Sequence, residues 1–292
     1  MRNLFVLIFI FSFLPALAQE KITLWPDTKD DFRKKAVEFF HYRADTSAQK
    51  RNTAIIFCPG GSYCYLAKKN EGHDPAKLFA RQGFETFVLI YRRGLKGNRY
   101  PSQIQDLQKA MIYVREHYAF DSLGVCGFSA GGHLVGTLAE YFNVNYVDDK
   151  PHNLRPDFAI MMYPVVTMQD DYAHRKSRRN LLGQYYSKER KDSLSLEMNV
   201  HSDMPPIYLL VCKDDPIVDY HNALKMDVAL SRAGVRHRLN FHEVGGHGFG
   251  VNPGRIKDDD KSLVLDLVPC IKEDDSFAFY NRKSGKFFTT PV

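Results

Sequence analysis

The sequence has few cysteines and lacks the patterns in which cysteine usually stabilises a structure. Its five cysteines are widely spaced, and an odd number so spread is not typical of a disulfide framework. It contains no CxxC pair and no HExxH motif, so it gives no indication of zinc. Cys58, Cys126 and Cys212 each end an apolar run, which predicts small core residues. We therefore expect a core that needs neither a disulfide nor a metal to hold it.

The sequence also lacks internal repeats, low-complexity tracts and any nucleic-acid recognition motif. Its formal net charge is +6, and the densest basic patch is HRKSRR at residues 174–179. Without a recognition motif, this patch predicts a solvated loop, open to a polar or acidic glycan, rather than a nucleic-acid interface. We expect a small-molecule or glycan ester as the partner, and no nucleic acid.

The amino terminus has the pattern of a secretory signal. Arg2 precedes an apolar run from Leu4 to Leu14, and Ala16-Leu17-Ala18 supplies a small-x-small cleavage site. The run is short for a bilayer span, so a signal peptide over residues 1–18 is favoured over an uncleaved anchor. We expect a mature chain that starts near Gln19 and is secreted or periplasmic, without stable membrane insertion.

Short apolar runs alternate with helix-period segments along the rest of the chain, which predicts parallel βαβ units and an α/β fold. The expected strands are Ile22–Trp25, Val37–Tyr42, Ala54–Cys58, Thr86–Tyr91, Ser122–Cys126, Phe158–Tyr163, Ile207–Cys212 and Arg238–His242. The expected helices are Pro75–Gln82, Pro101–Tyr118, Ala130–Phe142 and Tyr220–Ala233. We predict a catalytic domain over residues 19–272 with a polar cap at 165–203. An extension follows at 273–292, whose two aromatic runs around a Ser-Gly turn suggest a hairpin.

Residues 127–131 read Gly-Phe-Ser-Ala-Gly and match the G-x-S-x-G motif. The motif follows a predicted strand and precedes a predicted helix, which is the setting of a nucleophile elbow. Gly127 and Gly131 leave room where a Cβ atom would clash with neighbouring backbone. The sequence therefore predicts Ser129 as the nucleophile of a serine hydrolase.

Two glycine-rich segments complete this prediction. Pro59-Gly60-Gly61-Ser62-Tyr63 follows a strand, so the N–H of Gly61 or Ser62, with that of Ala130, is expected to form an oxyanion hole. His247 lies in a glycine-rich loop after the last strand, where the chain order Ser, acid, His places the general base. His133 is expected to pack locally, and His242, on a strand, to lie out of reach.

The acid is expected between strand 207–212 and the next helix, where Asp214, Asp215 and Asp219 are candidates. Asp219 adjoins the helix start, where a carboxylate is explained as a cap. Asp215 is preferred because Pro216 biases it toward an extended backbone, with Val218 packing inward. Asp214 is then expected to point to solvent or to bond within its own turn.

Several motifs together resemble the acetylxylan-esterase-like branch of α/β hydrolases, which is often grouped with feruloyl-esterase-like and hormone-sensitive-lipase-like proteins. They are ITLWP, CPGGSY, NEGHDPAKLFARQG, FVLIYRR, GFSAGGH, RPDFAIMMYPV, DDPIV and GGHGFG. The resemblance implies the α/β-hydrolase fold, with a mostly parallel eight-stranded sheet flanked by helices. It also implies cofactor-free ester hydrolysis by Ser129, Asp215 and His247. The chain departs from the family at Ser62, where a third glycine is common.

The function expected from these features is that of a secreted serine esterase that removes short acyl groups, acetyl above all, from plant-type carbohydrate. A prolyl-oligopeptidase-like peptidase shares the fold, but the chain has no room for a propeller domain. A lipase requires an apolar lid, whereas residues 165–203 are polar and basic. A binding module built on an inactive hydrolase is disfavoured by an intact Ser, Asp and His in the right order.

Overall fold

The computed structural model describes residues 19–26, 37–94 and 97–251, together with three short strands within 270–290. The signal peptide predicted over residues 1–18 lies outside these residues. Eight strands form one sheet in the order β1-β2-β4-β3-β5-β6-β7-β8. The strands are β1 Gln19–Ile22, β2 Glu38–Tyr42, β3 Thr53–Cys58, β4 Glu85–Ile90, β5 Ser122–Phe128, β6 Phe158–Met162, β7 Ile207–Cys212 and β8 His237–His242.

Pairing is antiparallel between β1 and β2 and between β2 and β4, and parallel across the other five pairs. The expected mostly parallel, eight-stranded sheet is therefore confirmed. The first strand begins earlier than the predicted Ile22–Trp25 because it lies at the sheet edge. Only Ile22 of the four residues in β1 is buried, so the strand has no apolar run that a sequence pattern could show. It is held by backbone hydrogen bonds to β2 and by a Lys21–Glu38 ion pair of 2.9 Å.

Helices cover both faces of the sheet. They are α1 Asp74–Ala80, α2 Ser102–His117, α3 Ala130–Glu140, α4 Arg175–Leu182, α5 Lys188–Ser193 and α6 His221–Arg232. A π-helical turn, Lys69–His73, leads into α1, and a 3-10 turn, Leu196–Met198, follows α5. The four helices expected from periodicity are present. The predicted cap at 165–203 contains α4 and α5, whose basic sequences hide their helical period.

The inner strands are apolar on both sides, and their alternate residues enter two separate cores. In β3, Ile56 and Cys58 belong to one core, while Ile55 and Phe57 belong to the other. Cys58, Cys126 and Cys212 are buried, as predicted for core residues. Because both faces are covered by packed side chains, the sheet is a rigid platform for the loops at its carboxyl edge.

The carboxyl ends of β3, β5, β6, β7 and β8 lie along one edge of this sheet. In folds of this kind, ligands bind at that edge, where the connecting loops meet. The glycine-rich turn after β3, the elbow after β5 and the loops after β7 and β8 all begin there. The cap reaches the same edge, since the Asn180 side-chain amide donates to the Ser62 carbonyl at 2.8 Å.

The carboxyl-terminal residues form a second, three-stranded antiparallel sheet of β9 Cys270–Ile271, β10 Phe277–Asn281 and β11 Lys286–Thr290. β10 pairs with β11 in the manner of the hairpin suggested by the sequence. β9 pairs with the start of β10, so this sheet begins before residue 273. The domain limits themselves stay a prediction. Over the described part of the chain, no helix is both long and apolar enough to cross a bilayer.

Candidate active site

Ser129 stands at a sharp turn between β5 and α3, with φ of 54° and ψ of −117°. Serine rarely adopts this left-handed region, and such strain is typical of functional turns. The two elbow glycines are sterically required. A Cβ atom on Gly127 would lie 2.1 Å from the Gly131 carbonyl oxygen, and one on Gly131 would lie 2.1 Å from that of Cys58. These contacts are the clashes that the sequence predicted.

His247 and Asp215 meet Ser129 at the sheet edge. The His247 Nε2 atom lies 3.0 Å from Ser129 Oγ, and His247 Nδ1 lies 2.6 Å from Asp215 Oδ2. Because a carboxylate can only accept, Nδ1 carries the proton and Nε2 is left to accept from the Ser129 hydroxyl. The structure thus brings together the three side chains that the sequence predicted as a triad.

Asp215 is itself held by its own turn. Its Oδ1 atom accepts from the backbone N–H groups of Ile217 and Val218 at 2.8 and 2.9 Å. Val218 is buried, as its expected inward packing requires. With one oxygen fixed by two amides and the other facing His247, the Asp215 carboxylate has a defined orientation and is fully buried.

The two neighbouring aspartates have different partners. Asp219 Oδ1 accepts from the N–H of His221, the first residue of α6, at 2.9 Å, as expected for a carboxylate at a helix start. The expectation for Asp214 is confirmed in part: the residue is exposed, but its hydrogen bonds are not within its own turn. Its Oδ1 atom reaches across to the loop after β8 and accepts from Gly245 and Gly246 N–H at 2.9 and 2.7 Å. It therefore supports the loop that presents His247.

The turn after β3, beside Ser129, contains backbone N–H groups that are available to donate a hydrogen bond. Gly61 has φ of +132°, and Ser62 and Tyr63 follow with φ near 55° and 60°. Among the residues that the structure describes, the N–H groups of Gly61, Ser62 and Ala130 have no acceptor. The departure at Ser62 leaves a backbone donor in place. Their service as oxyanion donors stays a prediction.

Glu71, which sequence reasoning missed, links the two glycine-rich loops. This side chain is buried, and its Oε2 atom accepts from Gly60 N–H at 2.8 Å. Its Oε1 atom accepts from the Tyr163 hydroxyl at 2.8 Å, and that hydroxyl accepts from Gly250 N–H at 3.0 Å. Burial raises the pKa of Glu71, opposed by these hydrogen bonds and by charge on nearby His247.

Tyr163 supports the histidine directly, since its ring centroid lies 4.7 Å from that of His247. The turn after β3, the end of β6 and the loop after β8 are therefore joined by one buried network. The sequence signal for it was the NEGHDPAK segment, but a glutamate in a polar stretch is more often exposed.

His133 and His242 take no part in this constellation. His133 is buried, with Nδ1 2.8 Å from the Tyr63 hydroxyl and Nε2 2.8 Å from the Leu194 carbonyl. It packs as expected, but against residues distant in the sequence and not locally. His242 is buried on β8. The histidine that hydrogen-bonds to Ser129 Oγ is His247.

His174, at the start of α4, lies close enough for His247 to influence its charge. Burial lowers the pKa of His174, and positive charge on His247 and Lys176 lowers it further. Within the described ranges, no group of three His, Cys, Asp or Glu side chains is placed to hold a metal ion.

Comparison with known families matches residues 42–230 to the model described as BD-FAE. The chain belongs to this family of α/β hydrolases. The matched region includes Ser129 and Asp215 and ends before His247.

Two curated relatives are similar to the chain. An acetylxylan esterase of Xylanibacter ruminicola is 30% identical over 76% of this chain and 47% of its own length. An endo-1,4-beta-xylanase B of Butyrivibrio fibrisolvens is 30% identical over 69% of this chain and 33% of its own length. The chain thus spans less than half the length of these two relatives.

Among solved structures, an acetyl ester-xyloside bifunctional hydrolase from Caldicellulosiruptor lactoaceticus is similar, with a TM-score of 0.71 and 30% identity. The match covers 80% of this chain and 89% of that one. A truncated carbohydrate esterase from gut microbiota shares the fold, with a TM-score of 0.64, 20% identity, and coverage of 85% and 95%.

Proposed function

We propose that the protein is a secreted or periplasmic serine esterase that hydrolyses short acyl esters, acetyl above all, on plant-type polysaccharide or oligosaccharide through an acyl-enzyme. The observation that supports this most is the hydrogen-bonded chain from Ser129 through His247 to Asp215. It lies beside backbone amides that have no acceptor among the described residues, which is the arrangement that acyl transfer requires.

In the proposed mechanism, His247 Nε2 takes the Ser129 proton while Oγ attacks the ester carbonyl. The carbonyl oxygen gains negative charge, which the N–H groups of Ala130 and of Gly61 or Ser62 stabilise. Asp215 stabilises the imidazolium that forms. His247 then protonates the departing sugar hydroxyl, and an acyl group remains on Ser129. Water, deprotonated by His247, attacks this acyl-enzyme and releases the carboxylic acid.

The carbohydrate and acetyl assignments draw on the names of the relatives and on the surface of the cap. Arg175, Lys176 and Arg179 on α4 are exposed and charged. An interfacial lipase needs an apolar lid at this place, so the cap favours a polar substrate. Export is proposed from the amino-terminal signal sequence alone.

A panel of esters tests the proposal: acetylated xylan, acetylated pectin, feruloyl esters, and p-nitrophenyl esters from acetyl to octanoyl. We expect acetate release from acetylated xylan and a higher kcat/KM for p-nitrophenyl acetate than for the octanoate. Each added methylene gains binding only where an apolar pocket receives it. Faster turnover of the octanoate would overturn the carbohydrate assignment in favour of a lipase.

Two further measurements separate the remaining alternatives. A fluorophosphonate probe should label the protein but not its Ser129→Ala variant, whereas an inactive binding module would not be labelled at all. Amino-terminal sequencing of the protein recovered outside the cytoplasm should begin near Gln19. A start at Met1 in a membrane fraction would overturn the proposal of cleavage and export.

A further inference from the structure

An open pocket of about 360 Å³ lies between the cap and the segment that precedes α2. Its polar walls are formed by Arg99, Tyr100, Tyr185, Tyr186 and Arg190, with two leucines of α4 beneath them. This volume is typical of a small-molecule site. The pocket is separate from the Ser129 constellation, and the mechanism above makes no use of it.

The charge of this pocket is uncompensated. No acidic residue lines it, and neither Arg99 nor Arg190 has a carboxylate within 4.0 Å in the part of the chain that the structure describes. The Arg190 guanidinium instead lies over the Tyr100 ring, 5.3 Å from its centroid. Basic neighbours behave differently, since Arg178 and Lys191 both pair with Asp170. The pocket therefore keeps two guanidinium groups available for an anion.

Two of the three tyrosines that line the pocket are exposed. Tyr185 is 87% exposed and Tyr186 is 37% exposed, although large aromatic rings are usually buried. A tyrosine presents a broad apolar ring face and a hydroxyl, so it suits a partner that has both a carbon surface and polar groups. A sugar ring has both, because its C–H groups and its hydroxyls point in different directions.

The pocket lies at the carboxyl end of α4, next to a residue that contacts the turn after β3. Leu181 and Leu182, beneath the pocket, follow Asn180, whose amide bonds to the Ser62 carbonyl beside the elbow. α4 is only about 12 Å long, so a short oligosaccharide in the pocket can extend along the cap toward the candidate active site.

We propose that this pocket is an accessory subsite for a uronic acid residue, a sugar ring that carries a carboxylate. Arg99 and Arg190 bind the carboxylate through charge-assisted hydrogen bonds, and Tyr185 lies against the ring. The preferred substrate is then an acylated polysaccharide with acidic sugar units. This preference rests on the proposed esterase function, whereas binding at the pocket does not.

A nucleic acid could also use arginines and tyrosines, but the observations favour an acidic sugar. The pocket holds two arginines around a volume suited to one or two rings, rather than a basic stripe that follows a phosphate backbone. Competition with a single-stranded oligonucleotide is therefore included in the test.

Binding is measured first, by isothermal titration of the full-length Ser129→Ala variant. The probes are a xylo-oligosaccharide bearing one uronic acid and the same oligosaccharide with its carboxyl group reduced to an alcohol. We expect about tenfold tighter binding of the acidic probe, and a smaller difference in 0.5 M NaCl, because exposed charge pairs are screened by salt. Adding Arg99→Gln and Arg190→Gln should abolish the difference.

Tyr185 is tested separately from charge. Tyr185→Ala should weaken binding of both oligosaccharides by about threefold to tenfold, since it removes a ring contact. Tyr185→Phe keeps the ring and should bind nearly as the parent does. Equal losses in the Ala and Phe variants would show that the ring face is not used.

Substrate preference is measured second, as the ratio of kcat/KM on an acetylated acidic xylan to that on its carboxyl-reduced form. The Arg99→Gln/Arg190→Gln double variant should lower this ratio about threefold to tenfold, because exposed guanidinium contacts are modest. Arg232→Gln, at the exposed end of α6, is the matched control and should leave the ratio at the wild-type value. Because the measure is a ratio, partial misfolding of a variant does not imitate the effect.

The subsite proposal is overturned if the acidic and reduced probes bind equally, or if an oligonucleotide competes as well as the acidic sugar does. A protein that binds the acidic probe selectively but hydrolyses no ester would overturn the proposed function alone. A protein that hydrolyses both xylans at equal rates, and binds both probes equally, would overturn the subsite alone.

Discussion

His133 and His247 both bond to Ser129, but their rings have different environments. The backbone N–H of His133 bonds to the Ser129 carbonyl at 3.1 Å, and its ring is enclosed by the Tyr63 hydroxyl and the Leu194 carbonyl. The carbonyl can only accept, so His133 Nε2 donates to it and Nδ1 accepts from Tyr63. Burial lowers the pKa of His133 to about 4.

His247 has instead a carboxylate on one ring nitrogen and a hydroxyl on the other. In the proposed mechanism Asp215 stabilises the imidazolium that forms on His247, whereas a second proton on the His133 ring would face the Tyr63 hydroxyl and no carboxylate. Nearness to Ser129 therefore does not make a histidine a base. The partner on the far nitrogen decides between a structural and a chemical role.

Replacing each histidine gives the largest expected contrast. His247→Ala should lower kcat about 10⁴- to 10⁶-fold, as should Ser129→Ala, because members of one catalytic unit fail together. His133→Gln should keep turnover within about tenfold, since its ring touches no reacting atom. The measurement is kcat on p-nitrophenyl acetate, with circular dichroism to verify folding. A collapse of kcat in His133→Gln, with the fold intact, would contradict the distinction.

Aspartate-to-asparagine changes test which carboxylate gives His247 its role. Asp215→Asn should cost up to about 10⁴-fold in kcat, because an amide favours the wrong tautomer of the imidazole. Asp214→Asn should cost about tenfold or less, since its carbonyl oxygen can still accept from Gly245 and Gly246. Asp219→Asn serves as the control and should behave as wild type. The assignment fails if Asp215→Asn stays within tenfold while either neighbour collapses.

The low pKa of His133 should appear as a pH-dependent stability. In the unfolded chain, His133 has the ordinary histidine pKa of about 6.5. Between that pH and about 4 it therefore binds a proton in the unfolded chain that it does not bind in the folded protein. Folded stability is therefore lost as pH falls through this range. We expect His133 to account for about 2 to 3 kcal/mol of the loss between pH 7 and pH 4.5.

Urea unfolding at both pH values measures this effect. His133→Gln should show a smaller drop in the free energy of unfolding than wild type, by the amount given above. His117→Gln, at an exposed histidine of α2, is the control and should match wild type. An identical drop in the free energy of unfolding in all three proteins would mean that folding does not lower the pKa of His133.

Glu71 offers a smaller test, since it is a buried carboxyl near the site that touches neither histidine ring. In Glu71→Gln, one acceptor becomes an NH₂ group that faces a donor, either Gly60 N–H or the Tyr163 hydroxyl. We expect kcat to fall about tenfold to 100-fold while KM changes little, because the turn after β3, which carries the predicted oxyanion donors, is displaced. Tyr163→Phe should cost less, since the Gly60 bond survives. Full activity in Glu71→Gln would mean that the network is not needed.

The sequence predicted the parts of this site that have local signatures. The elbow needs glycine at fixed positions, and Asp215 is indicated by Pro216 after it and Val218 beyond. Glu71 and Asp214 have no such signature. Their partners are backbone N–H groups, which any residue supplies, and for Glu71 also the hydroxyl of Tyr163, which is distant in the sequence. The predicted bounds of the edge strand β1 are wrong for a related reason. Backbone pairing holds this strand, and its side chains are mostly exposed. Contacts between loops that are distant in the sequence form only when the sheet brings those loops together, so no local sequence pattern indicates them.

The backbone of Ser129 is fixed more firmly than the loops around it. Its N–H donates to the Met162 carbonyl at 2.9 Å, and its carbonyl accepts from Val165 as well as from His133. Its amide proton should therefore exchange with deuterium only when the whole sheet unfolds. The amides of Gly245 and Gly246, held by one exposed carboxylate, should exchange through local opening. On mild heating the loop that carries His247 should thus move away first, while Ser129 stays in place and the triad can re-form on cooling.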